Sequence, residues 1–164
     1  MTALRILALA WAALFVVVGA ARADQADRAL AHHCPHAVEF AGAVRAEARR
    51  HLLHPVLLVA IMRAESNCTM TAIGGHGERC AFQLHGVARA GLSVAQLLEP
   101  ETCIAAGAKW VAEMQRWCGS VSEGLGAYNT GLCPRLADER GKHAKARAGR
   151  RYARRVLSIA MRTP

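Results

Sequence analysis

The residues best suited to chemistry begin with Glu65, the one carboxylate in Ile61-Met62-Arg63-Ala64-Glu65-Ser66, where an apolar run that starts at Pro55 meets a glycine-rich stretch. At the C-terminal end of a buried helix, unpaired carbonyls and the negative end of the helix dipole disfavour a second negative charge. Desolvation acts in the same direction. Glu65 is therefore expected to keep its proton to a higher pH than a solvated glutamate, whose pKa is about 4.3. A general acid working near neutral pH needs that property. Further along, Gln83 is the single polar side chain in Cys80-Ala81-Phe82-Gln83-Leu84, and a buried amide must find partners in the backbone or in a ligand. Glu78 is a second carboxylate in the preceding loop. Ser66 beside Glu65 also reads as a helix-end serine, Tyr128 as a core aromatic, and Asn129 as a turn residue.

The elements that must position these groups are helical. Val38, Ala41, Val44 and Ala48 recur at spacings of three and four, which predicts an amphipathic helix over 35–51. Pro55 opens the next helix at a position where its missing N–H costs nothing. Val56 to Met62 is apolar all round, so this helix belongs in the middle of a small all-α domain and Glu65 emerges from the core itself. Gly74-Gly75-His76-Gly77 demands backbone freedom that a helix forbids and is read as a loop or short hairpin. Ser93 and Gln96 form a capping box. Pro100 opens a long helix through Cys118, with Ile104, Ala108, Val111 and Met114 on its apolar face and Gly119 as its stop. Ser122 is expected to cap a short helix carrying Leu125, Ala127 and Tyr128, with Asn129-Thr130-Gly131 turning out of it. A last helix is expected over about 149–161. Neither an internal repeat nor a strand-like run is present.

The 164 residues suit one domain. Residues 1–23 read as a cleaved secretory signal: one early positive charge, an uncharged apolar run from Ile6 to Ala21, and small residues at Ala21 and Ala23. The alternative is an uncleaved membrane anchor. The domain proper is then 24–164, exported to the periplasm or secreted. All six cysteines, Cys34, Cys68, Cys80, Cys103, Cys118 and Cys133, follow the signal, and an even number in an oxidising compartment favours three disulfides. Cys118 is expected to pair with Cys133 across one short helix, and Cys68 with Cys80 across the glycine-rich loop. Eight histidines raise the question of a metal, yet there is no Cys-x-x-Cys and no His-Glu-x-x-His, and no metal is expected. Loss of Arg5 and Arg22 with the signal lowers the net charge from +9 to +7. Between Arg140 and Arg155 stand eight Lys or Arg and no acid, a solvated helix face or an attraction for a polyanion. Export and the scarcity of aromatics argue against nucleic acid.

Three short pieces, in order, resemble the catalytic domain of the soluble lytic transglycosylase family, which is lysozyme-like and related to goose-type lysozymes. They are Glu65-Ser66; Gly77-Glu78-Arg79-Cys80-Ala81-Phe82-Gln83, where the family typically shows Gly-Ala-x-Gly-Leu-Met-Gln; and Ala127-Tyr128-Asn129-Thr130-Gly131, close to the family's Ala-Tyr-Asn-Ala-Gly. Glu99-Pro100 with Ile104 and Gly107 looks like the family's helix start, and Tyr152 with Arg155-Val156-Leu157 like its closing helix. The middle piece departs from the pattern at Cys80, Ala81 and Phe82. The resemblance implies cleavage of the β-1,4 bond between N-acetylmuramic acid and N-acetylglucosamine in peptidoglycan, leaving a 1,6-anhydromuramoyl end, with Glu65 as acid and then base. It implies that Tyr128 hydrogen-bonds near Glu65 while Ser66, Gln83 and Asn129 shape the cleft, that no cofactor is needed, and that a monomer acts on glycan strands. Two other readings stand beside it: a hydrolase using Glu78 as second carboxylate, and a non-catalytic wall-binding module. Local wall opening for an envelope-spanning secretion or conjugation apparatus, general turnover and phage lysis all suit such a protein.

Overall fold

The structure, a computed structural model, describes residues 25–164. The expected leader lies outside the described residues. We number the helices α1 (25–33), α2 (Ala41–His51), α3 (Pro55–Ser66), α4 (Val94–Leu98), α5 (Pro100–Cys118), α6 (Val121–Thr130), α7 (Pro134–Glu139) and α8 (His143–Ala160), with 3-10 turns at Pro35–Phe40 and Gly86–Arg89. The chain is mainly helical and, among the described residues, forms no strand beyond isolated bridges of Arg79 with Ile73 and with Leu84. No helix among them is long and apolar enough to cross a membrane.

α3 is the axis of this arrangement. Nine of its twelve residues are buried, including every one from Pro55 to Met62. Each large apolar side chain removed from water there contributes roughly 2 kcal/mol, so the helix is held by packing on all sides. Asn67 ends it in a left-handed conformation at φ 55°, its N–H returning to the carbonyl of Met62. α2 and α8 pack against α3, and α5 and α6 complete the body. α6 and α8 cross where two glycines meet: a Cβ on Gly126 would stand 2.3 Å from Cγ of Pro134, and one on Gly149 would stand 3.1 Å from Cα of Gly126. Only hydrogen at these points allows the backbones to approach so closely.

Several elements differ from the sequence expectation in extent. The predicted helix over 35–51 breaks into a 3-10 turn and α2, because Ala37 leaves helical geometry at φ −123°, and Val38 is half exposed instead of facing the core. Ser120, not Ser122, caps α6, accepting the N–H of Glu123 at 3.2 Å. α8 starts at His143, six residues earlier than expected; its first turns carry Lys145 and Arg147, and only Ala146 and Gly149 there are buried, so apolar periodicity gave no sign of them. The capping box of α4 and the Pro100-to-Gly119 limits of α5 are as expected.

The disulfides are Cys34–Cys68, Cys80–Cys103 and Cys118–Cys133. The last was expected. The expected Cys68–Cys80 pair is not formed: Cys68 reaches back to the end of α1, and Cys80 reaches forward to α5. The glycine-rich loop is closed instead by backbone bonds, Gly74 N–H to Glu78 O at 2.9 Å and Cys80 N–H to Ala72 O at 2.8 Å, which leave both thiols free to tie the loop to other elements. His33 bonds the Thr163 hydroxyl at 3.1 Å and docks α1 on the C-terminal end.

Gly126→Ala tests the close packing of α6 on Pro134, at the start of α7, and on Gly149 of α8 where the helices cross. The added methyl meets a proline ring that cannot rotate away, and overpacking of this kind costs about 1–3 kcal/mol, against a helix-propensity gain of about 1. Thermal unfolding should show a Tm lowered by several degrees; an unchanged or raised Tm would contradict the crossing described.

Candidate active site

The last turn of α3 delivers Glu65 to the floor of a cleft of about 420 Å³. Glu78 and Gln83 come from the loop that follows, Tyr128 and Asn129 from the end of α6, and Trp110 from α5. The 3-10 turn after Leu84 supplies the opposite rim with His85, Val87 and Ala88. Five of the six site residues expected from sequence thus share one concavity. Ser66 is the exception: its hydroxyl donates to the carbonyl of Ala81 at 3.0 Å and accepts the N–H of Thr69 at 3.1 Å. It ties the helix end to the loop and does not line the cleft.

Glu65 is half-buried, and burial is the largest influence on it, raising its pKa above the ordinary 4.5. Two groups oppose that shift. The phenol of Tyr152 donates to its Oε1 at 2.5 Å, and the Arg155 guanidinium lies near enough to favour the anion. The negative charge of Glu78 adds a smaller upward push. Arg155 also donates to the carbonyl of Ala64 at 2.9 Å, satisfying one of the acceptors that the end of α3 leaves open.

The hydrogen bond expected of Tyr128 goes elsewhere. Its hydroxyl donates to the carbonyl of Phe82 at 2.5 Å, and its ring stacks on Tyr152 with centroids 6.1 Å apart and planes 8° from parallel. Tyr128 therefore fixes both the loop and the tyrosine that touches Glu65. Burial, then the nearby Glu65 charge, holds the pKa of both phenols well above 10, so they remain donors. Gln83 donates from Nε2 to the carbonyl of Cys80 at 3.0 Å. Glu78 is held ionised, its pKa lowered by its own backbone N–H and then by that of His76, which its Oε2 accepts at 2.9 Å.

The loop carrying Gln83 is built under strain. Cys80 and Gln83 adopt φ of 63° and 48°, in the left-handed region that costs a non-glycine residue about 1–2 kcal/mol. Cys80 stands where the family pattern has glycine. The Cys80–Cys103 bridge, spanning 23 residues, contributes about 3 kcal/mol by restricting the unfolded chain, enough to offset the strain at either residue. Beneath the loop, Phe82 packs where Gly107 has no side chain; a Cβ on Gly107 would lie 2.3 Å from the Phe82 ring. Gly74 likewise makes room above: a Cβ there would lie 2.3 Å from Glu78 Oε2 and 2.5 Å from Gln83 Oε1, so the cleft side chains of both residues crowd over a bare backbone.

The family model for the transglycosylase SLT domain matches residues 42–150, from the start of α2 into α8. The chain belongs to that family. The SLT domain accordingly acts on peptidoglycan in the general manner of the lytic transglycosylases. The matched span contains Glu65, Glu78, Gln83, Tyr128 and Asn129, and it ends two residues before Tyr152. Among the described residues of this SLT domain, no group of three or more His, Cys, Asp or Glu side chains is placed to hold a metal.

Sequence reasoning places Tyr152 in a closing helix without giving its hydroxyl a role, and it gives Trp110 none. The order of Tyr152 before Arg155-Val156-Leu157 was a signal for the first, since it puts a phenol and a guanidinium one helical turn apart on α8. Nothing local distinguished Trp110 from a core tryptophan.

The raised pKa of Glu65 has a consequence for stability. The folded state binds this proton more tightly than the unfolded chain, so the contribution is present in full below the unfolded value and is lost as pH rises through the folded one. Glu65→Gln should therefore melt higher than the parent at pH 7, with the difference fading as pH falls to about 4.5. A variant that melts lower at pH 7 would show that the carboxylate is welcome where it sits.

Proposed function

We propose that this SLT domain is a lytic transglycosylase that cuts the β-1,4 bond between N-acetylmuramic acid and N-acetylglucosamine and leaves 1,6-anhydromuramoyl ends. The observation that carries the reading is a half-buried carboxyl group whose pKa burial raises, bonded by one phenol and lining a cleft in a chain of this family. Protonated Glu65 delivers its proton to the glycosidic oxygen while the sugar's own acetamido carbonyl stabilises the positive charge developing at C1. The resulting carboxylate then takes the proton of the C6 hydroxyl as that oxygen closes on C1. Burial keeps the carboxyl protonated to a higher pH and strengthens the carboxylate as the base of the second step, while the Tyr152 hydrogen bond to Oε1 eases the first by stabilising the anion that proton release leaves. Gln83 and Asn129 offer amides to the sugar substituents, and the half-buried indole of Trp110 offers an apolar face. The leader expected at 1–23 and the three disulfides support action outside the cytoplasm.

A second reading has one observation in its favour. Glu78 lines the same cleft and is held ionised, as the base of an inverting hydrolase would be. The two reactions differ by one water in the product. Digestion of purified peptidoglycan followed by mass spectrometry should give anhydro ends, and none with Glu65→Gln; reducing ends that disappear in Glu78→Gln would replace the proposal with hydrolysis.

Tyr152→Phe separates the role of the phenol from mere packing. It removes a donor to the carboxylate, so the pKa of Glu65 should rise and the basic limb of the pH–rate profile should move to higher pH, with kcat reduced. A reduced kcat with an unmoved profile would make Tyr152 only a packing residue.

A further inference from the structure

At the opposite end of α3 from Glu65 the surface opens into an apolar groove of about 600 Å³. Its walls are Val56 and Leu57 from α3 and Leu157 and Ala160 from α8. On its lips stand Leu52 and Met161, 92% and 79% exposed. The groove continues past Gln115 and Val121 into a second hollow of about 450 Å³ that reaches Arg116. Exposed apolar side chains grouped around a concave groove make it a candidate interaction site.

Two further observations define what it takes. Gln115 lines both hollows, yet its amide nitrogen is buried and has no acceptor among the described residues. A buried donor left unpaired is costly, and an occupant that brings a carbonyl or carboxylate oxygen relieves it. No carboxylate lines either hollow. Acids on the adjoining elements have partners of their own: Glu47 accepts from Arg50 through Oε1, Glu113 pairs with Lys109, and Glu123 accepts the backbone N–H of Arg135. Arg116 in the second hollow and Arg162 next to Met161 have no carboxylate partner among the described residues.

We propose that this groove docks an acidic amphipathic segment of a partner protein. Its apolar side chains enter between Leu52, Leu57 and Met161, its carboxylates face Arg116 and Arg162, and one of its oxygens accepts from Gln115. A concave wall with an unpaired donor suits a peptide better than a lipid surface. A second copy of this chain is disfavoured by its own positive charge, +9 for the full sequence and +7 without residues 1–23. The groove and the cleft lie at opposite ends of a helix of 12 residues, roughly 16 Å apart, so the segment tethers the protein without covering the cleft. The inference does not depend on which bond the cleft breaks.

The test uses the exported protein with its disulfides intact and a fluorescein-labelled helix bearing leucines at i, i+3, i+4 and i+7 flanked by glutamates, with lysine-flanked and scrambled acidic peptides as controls. The acidic helix should raise anisotropy saturably and bind about tenfold more weakly to Leu52→Asp and to Met161→Asp. Both positions are exposed, so circular dichroism of these variants should match the parent, and peptidoglycan cleavage should be unchanged. Arg116→Glu should weaken the acidic helix and strengthen the lysine-flanked one. Equal binding of the scrambled peptide, or undiminished binding to Leu52→Asp, overturns the proposal. It is also overturned by a parent dimer in sedimentation that Leu52→Asp dissociates, or by flotation with phosphatidylglycerol vesicles that Leu52→Asp abolishes when the acidic helix does not bind.

Discussion

A carboxylic acid at the end of a helix that is apolar on every side is the constraint on which the rest of the structure depends. The core of the domain is α3, and its last turn leaves the core only far enough to put Glu65 at the floor of a cleft. Desolvation at that point favours the neutral acid. Left alone, burial would hold the proton too firmly for the acid-then-base role proposed for Glu65. Tyr152 and Arg155, one helical turn apart on α8, act against the burial and leave the acid raised but able to ionise. The close crossing of α6 and α8 through Gly126 and Gly149 sets the helix that carries both groups against α3, and Tyr128 on α6 stacks on Tyr152 and bonds the loop at Phe82. Packing at one point and acidity at another are thus the same fact.

The disulfides serve this arrangement. Cys34–Cys68 holds the chain just beyond Glu65 to the end of α1, and Cys80–Cys103 holds the loop beneath Gln83 to α5. Cys118–Cys133 closes the segment containing α6, from which Tyr128 and Asn129 project. Each therefore restrains an element that contributes to the cleft. A small domain of this kind, with irregular backbone at Cys80 and Gln83, gains from covalent restraint where hydrogen bonding alone is sparse.

Much of this was legible in the sequence. Proline at helix starts, the Ser93–Gln96 capping box, and the all-apolar run marked α3, α4 and α5, and Gly119 and Gly131 marked the ends of α5 and α6, because those signals are local; Asn129 and Thr130, expected in the turn, are still helical. The cleft residues were legible through short motifs whose order matched a family. What escaped was long-range. Which cysteine meets which depends on where the glycine-rich loop travels, and backbone bonds at Gly74 and Cys80 turned it away from the expected pairing. Which tyrosine reaches Glu65 depends on how α8 lies across α3, across a separation of 87 residues. The charged first turns of α8 and the short α7 carried too little apolar periodicity to announce themselves.

The central claim is that Glu65 holds its proton beyond the range of an ordinary carboxyl, and the most direct measurement is a ¹³C NMR titration of glutamate side-chain carboxyl carbons, assigned by comparison with Glu65→Gln. The account predicts that the resonance absent from the variant titrates with a midpoint above 4.5 in the folded protein. A midpoint at or below 4.5 would contradict it, for the cleft would then hold an anion with no proton to give.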